Sequence, residues 1–293
     1  MISRTAGLSR LACLACLFTS ACLHRPVDNP NIIVVGITTG PNNLDPRFGL
    51  DEVSQRVQEQ ISDTLLVLDD TMRPAARLAE RLDHPDPLTY VATLRQGVRF
   101  HDGHELTSAD VVHTFRSLVD PALAAPRGGA YRVLASVDAV DRYSVVFRLK
   151  EPFTSFPINL VIPIVPDGAD RSFREHLVGT GPYRFVRYLV DDRVDLAPFT
   201  DYWNGAPQND GLVFKVVPDE VMRGLELRKG TMDIVVNDVS PDNLHQLEQD
   251  AALTTSTGPG ADYQYIGVNM RDAVLSDVRV RQAIAHAVDR RAI

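Results

Sequence analysis

The sequence predicts an α/β protein with a mixed α+β insertion. Three observations carry that class. Short β-branched runs are bounded by turn residues, amphipathic stretches open on N-cap residues, and the second half switches from paired strands to strand–helix–strand order. Strands alternating with helices imply βαβ units and a sheet covered on both faces.

The elements follow in chain order. Asn31 to Thr38, with Ile32, Ile33, Val34, Val35 and Ile37, reads as a buried strand that stops at the turn residues Gly40-Pro-Asn-Asn43. From Asp51 the apolar positions Val53, Val57, Ile61 and Leu65 recur every fourth residue, predicting a helix to about Leu66. Thr89 to Arg95 alternates as a strand and turns at Gln96-Gly97. Thr107 and Asp110 resemble a capping box with Asp in place of Glu, opening a helix whose apolar face is Val111, Val112, Phe115, Leu118 and Val119. Val133–Leu149 reads as a hairpin turning at Asp141-Arg142, and Tyr183–Phe199 as another turning near Asp191-Asp192. A strand at Leu212–Val217 then leads into a helix started by Asp219 and stopped by Gly230. After it come a strand at Met232–Val236, a helix begun by Ser240 with Pro241 at its first position, and a strand at Tyr263–Asn269.

Composition narrows the function classes. Of 293 residues, 44% are hydrophobic and 23% charged, the balance of a folded chain. A formal net charge of −8 argues against a nucleic-acid partner, which needs a surplus of cations to displace phosphate counterions. All three cysteines (Cys13, Cys16 and Cys22) lie at the N-terminus, so the body has neither a Cys-based zinc site nor a disulfide framework. Arg4 and Arg10, an apolar stretch from Leu11 to Phe18 and the small residues Thr19-Ser20-Ala21 make a secretory signal peptide over residues 1–21. Cys22 follows directly and resembles the acylated cysteine of a lipoprotein lipobox, although Thr19 stands where Leu is usual. An ordinary signal peptide that happens to contain a cysteine is the plainer alternative. Residues 22–30 suit a polar tether between a lipid and the first strand.

Candidate chemistry is sparse. His101-Asp-Gly-His104-Glu105 is the densest polar cluster, but it lacks the i, i+4 histidine pair of a zinc helix, and Gly103 marks a turn, so no metal is assigned. Gly179-Thr-Gly181 leads into a strand pattern instead of the helix a phosphate loop requires, and no nucleotide or other cofactor is assigned. Ser, His and Asp residues show no spacing that favours a catalytic triad. The lone Trp203, beside Gly205, reads as a packing residue before a stacking platform.

Read in order, several segments resemble a known family. Leu94-Arg-Gln-Gly-Val-Arg-Phe-His-Asp-Gly-His-Glu-Leu-Thr-Ser-Ala-Asp-Val-Val112 is similar to the signature block of the bacterial extracellular solute-binding proteins of family 5, the receptors of peptide and nickel ABC importers. Asn43-Leu-Asp-Pro46, Gly179-Thr-Gly-Pro-Tyr183, Asp201-Tyr-Trp-Asn-Gly-Ala-Pro207, Gly267-Val-Asn269 and Asp277-Val-Arg-Val-Arg-Gln-Ala-Ile284 agree in the same order. The resemblance implies a periplasmic-binding-protein-like type II fold whose two lobes close on a ligand. Residues 31–268 would form the first lobe, with a β-rich inserted subdomain at about 67–175, and 269–293 the crossover and the start of a second lobe. It also implies that the His-Asp-Gly segment is a structural turn. The expected partners are a peptide or similar small polar solute, an ABC permease with its ATPase subunits, and the membrane through a lipid anchor; the expected location faces the periplasm, as a monomer and not an enzyme. A secreted hydrolase is the runner-up.

Two segments are expected to face ligand. One is the loop after the first strand, Thr38, Thr39, Asn43 and Leu44, because ligands favour the C-terminal ends of strands. The other is the crossover strand, Tyr263, Tyr265 and Asn269, although alternation puts both tyrosines on one face that is either cleft or core. Asp277 reads as the N-cap of a last helix with Val280, Ile284 and Val288 on its apolar face, continuing to Ile293 without a stop. The resemblance makes this a truncated receptor, its last residues loosely docked and its apolar stripe exposed.

Overall fold

The computed structural model describes residues 29–237, 239–258 and 265–289. Of the described residues, those up to 253 form one compact unit and those from 254 a second. The leader, Cys22 and the tether as far as residue 28 therefore lie outside the described residues, while Asn29 at its end donates to the Asp210 carboxylate at 2.9 Å.

The chain enters through β1 (Ile32–Ile37), whose β-branched residues alternate between two faces. Val35 and Ile37 join one apolar cluster and Val34 another. Helix α1 (Glu52–Ile61) starts where expected, with the Asp51 side chain accepting from Ser54 N. It stops at Ile61 and not near Leu66. The Ile61 carbonyl is taken by Gly181 N–H at 2.9 Å, and Ser62 turns to extended backbone. Leu65 is still fully buried, but from the chain entering the next strand.

Strands β2 (Leu66–Leu68) and β3 (Pro74–Ala76) form a small antiparallel ribbon. A second sheet follows from β4 (Ala79–Asp86), β5 (Thr89–Leu94), β6 (Leu134–Asp141) and β7 (Ser144–Leu149), in the spatial order β4-β5-β7-β6. Periodicity did not foretell β4; its Glu80-Arg-Leu-Asp-His-Pro85 run is mostly exposed and holds its place by pairing with β5. Helix α2 (Ser108–Val119) caps this sheet, burying Val111, Phe115 and Leu118. Asp110 accepts from Thr107 N at 2.8 Å, while Val119 points outward. Phe115 meets Phe147 edge-to-face and Phe147 meets Phe156 at a tilt, a series of rings within the core.

The chain then returns to the first sheet through the hairpin β8 (Tyr183–Leu189) and β9 (Arg193–Pro198), and through β10 (Gly211–Val216). Helix α3 (Glu220–Lys229) is capped by Asp219 and ended by Gly230 at φ +68°. Strand β11 (Ile234–Val235) is shorter than expected, because the Asp233 carboxylate takes Val34 N–H at 2.7 Å just ahead of it. Helix α4 (Pro241–Glu248) begins at Ser240 as expected. The sheet order is β11-β1-β10-β9-β8, with β10 and β11 both parallel to β1. Val53, Val57 and Ile61 of α1 cover one face; Leu227 of α3 and the buried Met232 help cover the other.

In the second unit, residues 265–269 make no strand, which corrects the expected crossover strand over its described part. A ladder needs a partner, and none pairs with it among the described residues. Helix α5 (Val278–Ala287) is capped by Asp277 as expected but ends at Ala287, where Val288 becomes extended. Val280 and Ile284 are only half-buried, and residues 290–293 lie outside the description.

Candidate functional site

The C-terminal ends of β1, β10 and β11 lie side by side and form a ledge. Thr38 is half-buried and Thr39 exposed at the end of β1. Val217 N–H donates to Ile37 O at 2.8 Å, extending the β1–β10 ladder to the ledge. Beneath it the buried Arg223 guanidinium donates to Val217 O at 2.6 Å and Pro218 O at 2.8 Å. Asn237, at φ +66°, turns the chain at the end of β11. Glu220 accepts from Ser240 N at 3.1 Å, joining the starts of α3 and α4 beside it.

The loop between β1 and α1 is held from both sides. Gly40 abuts the Tyr188 hydroxyl so closely that a Cβ there would lie 2.1 Å from it. Asn43 N donates to Ser54 Oγ at 3.2 Å, and Gln58 Nε2 donates to Asn43 O at 3.0 Å. The Asn43 side chain is spent locally, accepting from Asp45 N at 2.9 Å. Leu44 is 7% exposed and belongs to the core under the first sheet. Its side chain faces the cluster that also holds Val53, Val57 and Ile61, whereas Leu50 of the same loop is exposed, so Leu44 is placed to hold the loop and not to touch a ligand. Tyr263 lies outside the described residues. Tyr265 is exposed, and Asn269 accepts from Arg271 N at 3.0 Å, starting a turn.

Periodicity missed two buried polar hubs. Arg47 is completely buried and grips Asp45 with Nε at 3.0 Å and Nη2 at 2.8 Å, while donating to Ala169 O and Asp170 O. It thereby ties the loop after β1 to the segment leaving the second sheet. The buried Asp63 accepts from Arg77 Nε at 2.8 Å, Trp203 Nε1 at 2.8 Å and Tyr202 Oη at 3.2 Å. Burial and the Asp63 charge hold the Tyr202 hydroxyl well above its ordinary range. Trp203 also lies under the guanidinia of Arg77 and Arg95, at 5.6 and 5.0 Å, so it serves as a packing residue. Asn43-Leu-Asp-Pro46 and Asp201-Tyr-Trp203 were visible as motifs; nothing local disclosed that each closes a buried charge.

The His101–Glu105 segment is a turn with Gly103 at φ +96°. His104 pairs with Asp102 at 2.6 Å and stacks on Phe100, while Glu105 accepts from Gly97 N, Tyr143 Oη and Arg142. Gly179 and Gly181 approach the end of α1 so closely that a Cβ on either would strike Ile61 backbone atoms. Close backbone contact explains these glycines. A groove of about 610 Å³ lies between this turn and residues 166–176, lined by Asp102, His104, Asp110, Asp167, Asp170 and His176. Among the described residues no group of three or more His, Cys, Asp or Glu side chains is placed to hold a metal ion.

A mixed sheet covered on both faces, whose parallel strands end side by side, is the α/β architecture of a periplasmic-binding-protein-like lobe. The chain belongs to the bacterial extracellular solute-binding proteins, family 5, whose model (the Middle region) matches residues 73–293. The oligopeptide-binding protein AppA of Bacillus subtilis strain 168 is 28% identical over 312 residues, covering 98% of this chain and 57% of that protein. The glutathione-binding protein GsiB of Pectobacterium atrosepticum is 30% identical over 284 residues, covering 94% of this chain and 55% of that protein. The structure of AppA in complex with a nonapeptide superposes with a TM-score of 0.82 at 28% identity, over 89% of this chain and 54% of that one. The Helicobacter pylori periplasmic binding protein DppA, in complex with the peptide STSA, gives 0.80 at 25% identity, over 88% of this chain and 56% of its own. The chain thus spans about half the length of the relatives it matches.

Proposed function

We propose that this chain supplies one ligand-facing lobe of the substrate-binding component of an ABC importer that captures peptides outside the cytoplasm. The carrying observation is the ledge at the ends of β1, β10 and β11, on a fold shared with AppA and DppA, whose structures hold peptides. Thr38 and Thr39 would contact ligand directly; Asn43 acts by holding their loop. Tyr263, Tyr265 and Asn269 would meet the ligand from the crossover. Residues 31–268 would be the first lobe, with the inserted subdomain at about 67–175, and 269–293 would open the second. Capture is binding, not catalysis: contacts to both lobes shift an open–closed equilibrium, and the closed form docks on a permease powered by separate ATPase subunits. Cleavage before Cys22 and acylation there would anchor the chain, as a monomer, facing the periplasm.

Titration of the ¹⁵N-labelled chain with a nonapeptide and with glutathione tests the reading. One lobe offers half the contacts, so weak, fast-exchange shifts are expected at the amides of Thr38, Thr39 and residues 217–219. A peptide panel that leaves all of these unmoved would sink the proposal. Tight saturable binding by calorimetry would instead overturn the requirement for a second lobe. The mass of the parent chain from a membrane fraction tests the anchor, since an acyl adduct on Cys22 is expected there and Cys22→Ser should be absent from that fraction.

A further inference from the structure

We infer that His101 is a neutral clasp, fixed in a single tautomer, that fastens the turn after β5 to the glycine-rich entry of β8, and that acid opens it. Both ring nitrogens are committed. Nδ1 lies 3.2 Å from Gly179 N, which can only donate, and Nε2 lies 3.0 Å from Gly181 O, which can only accept. Only the neutral ring carrying its hydrogen on Nε2 satisfies both. The main chain adds His101 N–H to Gly179 O at 2.9 Å, and Phe199 closes the ring edge-on at 5.0 Å.

What the clasp holds has no slack. Gly179 and Gly181 are wedged against Ile61, Gly181 N–H caps the Ile61 carbonyl at 2.9 Å, and Thr180 Oγ1 accepts from Asp63 N at 3.1 Å. The segment His101 grips therefore joins the second sheet, the end of α1 and the first sheet. The charged groups facing the ring are Arg184 of β8, whose guanidinium lies 4.6 Å from the Phe199 ring, and Asp102, which is paired with His104. The segment from Gly179 to Gly181 and Phe199 carry no titratable side chain.

Burial pulls the ring down from 6.5 to about 4; the bond to Gly181 O opposes this, Arg184 reinforces it and Asp102 opposes it. Above pH 6.5 the ring is neutral whether the chain is folded or not. Between 6.5 and about 4 only the unfolded chain takes the proton, so stability falls with pH. Below that the folded ring protonates too, and Nδ1–H then faces Gly179 N–H, donor against donor.

Long-range ¹H–¹⁵N spectra of the whole labelled chain read the tautomer directly. Expected are the Nε2–H form at neutral pH, no titration until near pH 4, and loss of Gly179 amide protection in the same step. An Nδ1–H form, a tautomer mixture or a midpoint near 6.5 overturns the inference. His101→Gln cannot titrate, so the fall in urea midpoint between pH 6.5 and 4 should be shallower than in the parent; an unchanged slope overturns the acid-opening claim. Should that variant fail to fold, the spectra of the parent chain still decide both points.

Discussion

Arg47 has no exposed surface, and its charge is answered within the fold by Asp45 and two main-chain carbonyls. Removing one partner of such a pair leaves the other charge buried and uncompensated, which costs roughly 3–5 kcal/mol. Arg47→Met should lower the urea-unfolding free energy by about that much; a loss below about 1 kcal/mol would mean that Asp45 finds water or another donor. For Tyr131 a pH effect of the opposite sense to that of His101 is expected. Its hydroxyl donates to Asn159 O at 3.0 Å, and burial pushes it from 10.0 up to about 12. Below pH 10 its neutral form is shared by folded and unfolded chains. Between 10 and about 12 the unfolded chain loses the proton first, so stability falls as pH rises. In Tyr131→Phe the alkaline limb of urea midpoint against pH should be flatter; an unchanged limb would place the titrating group elsewhere.

At the scale of elements, two helix ends invite direct tests. Asp110 accepts from Thr107 N at the start of α2 and also from Asp167 N at 2.9 Å, so it serves a helix end and a neighbouring loop at once. Asp110→Ala should therefore cost more than the typical ~1 kcal/mol of a cap, about 2–3 kcal/mol in urea unfolding. Gly230 ends α3 in the left-handed region at φ +68°, where a Cβ is disfavoured. Gly230→Ala should cost about 1 kcal/mol by the same measurement. A neutral result would show that the α3 terminus relaxes into a different cap.

At the scale of the molecule, two sheets with separate apolar clusters form one compact unit. Val178 packs against both clusters, Arg47 and His101 cross between their elements, and Asp63 draws Arg77, Tyr202 and Trp203 together. The chain has one tryptophan, and it lies in that last junction. Urea unfolding followed by Trp203 fluorescence and by far-ultraviolet circular dichroism should accordingly give coincident transitions. Separate midpoints would show that the sheets unfold independently and that the junction is weaker than its bonds suggest.

Local rules determined much of this architecture. Apolar period and cap residues were enough to place β1, the starts of α1, α2, α3, α4 and α5, and both hairpins, because each is stabilised by residues a few positions apart in sequence. The turn at His101–Glu105 was equally legible, since Gly103 announces it. Distant partners decided the rest. The end of α1 depended on Gly181, the shortening of β11 on the Asp233 carboxylate, and the existence of β4 on β5. The candidate site divides the same way: Thr38 and Thr39 could be expected at a strand end, whereas Leu44 in the same loop turned into a core that α1 builds. Arg47, Asp63 and His101 became structural only because groups far along the chain met their charges and ring nitrogens. A lone charged or titratable residue carries no sign in sequence of whether water or protein will satisfy it; burial settles that, and only the tertiary structure supplies burial.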